Sequence, residues 1–68
     1  MTVGSQLKNT LAGLKGAQAI IELYAQQARH EQSRAAFQEG LVILAEVVES
    51  LAGRLQEIEL AEPQYKSL

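Results

Sequence analysis

Apolar residues recur in alternating steps of four and three along nearly the whole chain, and that spacing limits the fold more than any other property. In the second half the row runs Phe37, Leu41, Leu44, Val48, Leu51, Leu55, Ile58, with polar Glu62 in the next slot. In the first half it reads Val3, Leu7, Thr10, Leu14, Ala17, Ile21, Tyr24, Ala28, and Thr10 is its one polar member. A repeat averaging 3.5 residues keeps one seam of an α-helix turned towards a neighbouring helix, so the expected fold class is all-α.

The two rows do not join. Stepping on from Ala28 predicts apolar residues at 31 and 35, yet Glu31 is charged and the strong row restarts only at Phe37. Two helices follow, about 3–28 and 31–61, with a turn at about 29–31, so that 1–68 reads as a single helical-hairpin domain. Thr2 is placed to cap the first helix, since its hydroxyl can accept an orphan amide of the first turn. His30 or a neighbouring polar residue caps the second, with Glu31 at the positive end of the helix dipole. Pro63 ends the second helix because it has no amide hydrogen, which leaves 63–68 as an extended tail. So short a turn makes the helices antiparallel. Position sums near 59 then pair Leu14 with Ala45 and Leu7 with Leu51 or Ala52.

One seam per helix suffices for a hairpin, and these helices carry more. Gly13, Gly16, Ile20 and Leu23 flank the first seam, and Ala36, Gly40, Ile43 and Val47 flank the second. Stripes this wide belong to core-facing helices of a bundle. With 68 residues and no cysteine, a disulfide or thiolate-bound metal cannot supplement a small core, which leaves association as the source of extra stability. The expectation is a homodimer or higher homo-oligomer, assembled as a four-helix bundle through those eight residues. The small patch around Gly13 and Gly16 is expected to let another helix approach closely.

Composition excludes several function classes. The formal net charge is −2, and the cations Lys8, Lys15, Arg29, Arg34, Arg54 and Lys66 form no cluster to neutralise phosphates. Tyr24, Phe37 and Tyr65 are too few for base stacking, so no nucleic-acid partner is expected. The longest unbroken apolar run, Leu41 to Ala45, is far short of the roughly 18 residues that a membrane span needs. Acidic polar faces would be repelled by anionic lipid. Without a signal-like start, the chain reads as cytoplasmic.

Chemistry-bearing sets do not assemble. His30 is the single histidine, and no Glu-x-x-His pair accompanies it, so no metal site and no cofactor are expected. Glu39 and Glu46 share one face, and Glu49 and Glu57 lie near another, all outside the apolar rows. Ser33 has no histidine at a usable helical spacing on its own helix, and no enzyme activity is expected. The end of the second helix is different: Glu57, Glu59 and Glu62 gather at the negative end of the dipole, where cations are preferred. Either Lys8 offsets them or they combine with the tail. Glu62, Pro63, Gln64, Tyr65 and Lys66 are therefore a candidate partner-binding segment.

Two stretches carry a resemblance. Thr2 to Gln27, with Leu14-Lys15-Gly16-Ala17-Gln18 as its more specific part, and the ending Glu62-Pro63-Gln64-Tyr65-Lys66 resemble the small proteins grouped as domain of unknown function 1657. That family occurs in endospore-forming Bacillus-like bacteria. The resemblance implies a short helical protein without known enzymatic activity, associated with sporulation genes and with a membrane-protein partner. It supplies no catalytic residues. Arg29 and His30 stand at the turn where the family pattern is more acidic.

The expected function is a non-catalytic protein–protein interaction or scaffold role, linked through the resemblance to sporulation or spore membrane complexes, with the developing spore as one setting. The alternative is a carrier that holds a small apolar ligand in the bundle core, where glycines leave room.

Overall fold

The computed structural model describes residues 2–61. Two α-helices make up those residues, α1 (Val3–Gln27) and α2 (Glu31–Ala61), joined by residues 28–30 and packed against each other. The pair extends over 50 × 16 × 12 Å, one helix thick, so among the described residues no second layer covers either outer face.

Local chemistry sets the ends. The Ser5 amide donates to Thr2 Oγ1 at 3.1 Å, and the Gln6 amide donates to the Thr2 carbonyl at 3.0 Å, which together close the first turn of α1. Thr10, the polar member of the expected seam, turns its hydroxyl back to the Gln6 carbonyl at 3.1 Å and stays exposed. At the far end Ala28 leaves the helix in an extended conformation (φ −66°, ψ 127°). The His30 carbonyl accepts from the Arg34 amide at 3.0 Å, so His30 takes the cap position of α2. Arg34 also reaches back across the turn, its Nη2 donating to the Ala28 carbonyl at 3.0 Å. Beyond Ala61 the expected stop at Pro63 and the tail 63–68 lie outside the described residues.

The seam of α2 is the expected row: Phe37, Leu41, Leu44, Val48, Leu51, Leu55 and Ile58 are all half-buried. The seam of α1 differs from the expected one. Leu7, Leu14, Ile21 and Ala28 keep their places, but the positions between them are Gly4, Leu11, Gln18 and Ala25. Val3, Thr10 and Tyr24 are exposed, whereas Leu11 and Ala25, each 6% exposed, are the two fully inward side chains among the described residues.

The pairing register also differs. A Cβ built on Gly4 would stand 3.8 Å from Ile58, Ala28 is bonded to Arg34, and the Tyr24 and Phe37 rings lie 5.9 Å apart. The first two pairs add to 62 and the third to 61, against the expected sum near 59. At 62 the whole α2 row falls on Gly4, Leu7, Leu11, Leu14, Gln18, Ile21 and Ala25, all of them inward-facing. The offset of nearly one helical turn arises at the connection. Ala28 leaves α1 extended, and the first turn of α2 completes the corner, held by Arg34.

Candidate functional site

The register fixes which sides of the two helices lie together. Lys8 follows Leu7 and Glu59 follows Ile58, so each sits on the C-terminal side of a seam residue. Their ion pair, Nζ to Oε2 at 3.1 Å, shows that these two positions share one flank of the hairpin. Both side chains retain solvent, 50% and 26%, so the pair contributes little, about 0.2–1 kcal/mol. Lys15 and Glu22 stand one and two heptads along the same line as Lys8. Those three are the only charged residues of α1.

The opposite flank is built from residues that precede seam positions, together with those one turn farther out. On α1 these are Gly13, Ala17, Ile20 and Tyr24; on α2 they are Ala36, Gly40, Ile43 and Val47. None of these eight carries a charge, whereas the same line of α2 continues through Ser50 to Arg54 and Glu57. Ile20 is 52% exposed, Tyr24 49%, Ile43 56% and Val47 41%, and Leu23 at the edge is 49% exposed. Tyr24 leans over the seam onto Phe37 with the rings tilted by 50°, so the aromatic pair bridges core and flank. These side chains form an apolar surface on the order of 500 Å², at the upper end of the largest patches that monomers display.

The glycines sit as gaps in this surface. A Cβ added at Gly13, Gly16 or Gly40 would meet nothing within 4 Å, and the same holds for Gly53. Close approach to another helix within the hairpin is therefore not what these residues serve. All eight expected interface residues lie on this flank or its edge: Gly13, Gly16, Ile20, Leu23, Ala36, Ile43 and Val47 are exposed, and Gly40 is half-exposed. The candidate tail Glu62, Pro63, Gln64, Tyr65 and Lys66 lies outside the described residues.

The edges of the flank differ between helices. Next to it on α2 run Glu39 and Glu46, seven residues apart; the equivalent line on α1 holds Asn9, Gly16 and Leu23. Sequence reasoning found the flank residues but not this asymmetry, which the spacing of Lys8, Lys15 and Glu22 already contains. Among the described residues no three histidine, aspartate or glutamate side chains gather as metal ligands. No described helix is long and apolar enough to cross a membrane.

This chain belongs to the family described as protein of unknown function (DUF1657), whose model matches residues 7–55. The match covers the Leu14 to Gln18 run and the seams from Leu7 to Leu55, and it stops before Ile58 and the Glu62 to Lys66 ending. No curated protein and no solved structure matches the chain.

Proposed function

We propose that this protein is a non-catalytic interaction module that acts as a homo-oligomer, with a dimeric four-helix bundle as its basic unit. The observation that carries the reading is the apolar stretch of the flank, uncharged from Gly13 to Tyr24 on α1 and from Ala36 to Val47 on α2 apart from its glutamate edge. Ile20, Leu23, Tyr24, Ile43 and Val47 are each about half exposed. Full burial of such a side chain is worth about 1.5–3 kcal/mol, so covering the remaining half returns roughly 4–7 kcal/mol per chain before ordering costs. A hairpin with Leu11 and Ala25 as its fully inward residues has little other source of stability.

Within this reading the developing spore and a membrane-protein partner are the setting that the family resemblance implies, the protein staying on the cytoplasmic side. The tail Glu62 to Lys66 would then dock that partner, leaving the flank for self-association. The open space over Gly13, Gly16 and Gly40 supports a second reading, a carrier of small apolar ligands.

Light scattering across a concentration series tests the first reading. A mass of two or four chains at micromolar protein is expected, with no uptake of an apolar fluorescent dye. A folded monomer overturns it, and an oligomer that binds the dye stoichiometrically favours the carrier.

A further inference from the structure

We propose that the second copy lies with its α2 against α1, the two hairpins being related by a two-fold axis parallel to the helices. This deepens the self-association reading and rests on it. An axis in that direction leaves every residue at its own height along the bundle. With paired numbers adding to 62, Val47, Ile43, Gly40 and Ala36 stand at the heights of residues 15, 19, 22 and 26 of α1. The flank row of α1 occupies 13, 17, 20 and 24. The two rows therefore interleave without any shift along the axis.

Size matches at each step. The partner's Val47 falls between Gly13 and Ala17, the two small members of the α1 row. The partner's Gly40 falls between Ile20 and Tyr24, the two large ones. The partner's Ala36 lies just beyond Tyr24, and the partner's Ile43 sits between Ala17 and Ile20. Glycines that meet nothing inside the hairpin thereby become the holes for side chains left half exposed on the same flank. The contact is isologous, so each chain supplies both knobs and holes, and the set closes at two copies.

Charge separates this arrangement from the other two-fold dimer of the same flank. An axis perpendicular to the helices would lay α2 on the partner's α2. The lines of Glu39 and Glu46 from both copies would then run along one edge, like charge beside like charge. With α1 on the partner's α2, each glutamate line instead borders Asn9, Gly16 and Leu23, which carry none.

The chain has no cysteine, so engineered ones report without background. Ala17→Cys and Val47→Cys are made as separate proteins, co-refolded in equal amounts and oxidised, with each variant alone as control. A disulfide-linked dimer at least tenfold more abundant in the mixture, with the 17–47 peptide pair identified by mass spectrometry, is the expected result. If the mass is dimeric but Ala17→Cys links to itself, or no link forms in the mixture, the arrangement is overturned while self-association stands. A monomeric mass for the unmodified chain overturns both.

Discussion

The two helices share one seam periodicity and differ in everything outside it. α1 has three charged residues in 25, all on one line seven residues apart. α2 has eight in 31, distributed round the helix at Glu31, Arg34, Glu39, Glu46, Glu49, Arg54, Glu57 and Glu59. A helix whose outer surface meets water ordinarily carries charge there, because burial of apolar area is lost on that side. α2 follows that rule over most of its circumference, and α1 does not. The seam says which face meets the neighbouring helix of the hairpin. The placement of charge says over which stretch a further face is left apolar.

The largest effect comes from testing where the α1 seam runs. Leu11→Asp places an unpaired carboxylate at a position 6% exposed, whereas Thr10→Asp places it on an exposed one. Burial of an unpaired charge costs several kcal/mol, as much as the entire stability of a domain this small. Leu11→Asp is expected to abolish the cooperative helical melt by circular dichroism, and Thr10→Asp to retain one. The reverse outcome would restore the row through Thr10 and dissolve the flank assignment with it.

A smaller effect separates the outer faces. Ile20 is 52% exposed and Val42 is 60% exposed, so a hairpin alone should tolerate a carboxylate at either site about equally. With the α1 flank buried in a dimer, Ile20→Glu leaves a charge desolvated against apolar side chains. It should weaken association by about 2–3 kcal/mol, some 30- to 150-fold in dimer dissociation constant. Val42→Glu, on the side of α2 that already carries Glu49, should change that constant less than about threefold. Sedimentation equilibrium gives both values. Equal tolerance would mean that the sparing of charge on α1 has no bearing on assembly.

How much of this was legible in the sequence differs between the helices. The α2 row reads cleanly because every one of its slots, from Phe37 to Ile58, holds a bulky apolar side chain. The α1 row reads at every second slot. Gly4 has no side chain and Gln18 is polar, so the true positions looked weaker than their neighbours Val3 and Ala17. Tyr24 outweighed Ala25 for the same reason, since a half-exposed tyrosine and a buried alanine cannot be ranked by hydrophobicity alone. The pairing offset was not readable at all, because it depends on how Ala28 leaves the helix and on the Arg34 bond across the corner. The flank residues themselves were visible as surplus apolar positions. Their common side of the hairpin needed the Lys8–Glu59 pair to fix it.

The smallest predicted effect is also the most discriminating, because it compares two glycines that the hairpin treats alike. A Cβ at Gly13 or at Gly53 would meet nothing within 4 Å. On helix propensity alone, alanine at either position gains up to about 1 kcal/mol, or roughly 4–8 °C in Tm for a domain of this size. Gly53 lies on the water-facing side of α2 and should show that gain in full. Gly13 lies opposite the partner's Val47 in the proposed dimer, where an added methyl takes up space that the valine occupies. There the propensity gain should be offset or reversed at high protein concentration, and should reappear on dilution below the dissociation constant. Calorimetry of both variants at two concentrations resolves this. Equal gains at every concentration would mean that both glycines face water, and the gap at Gly13 would then have no partner to fill it.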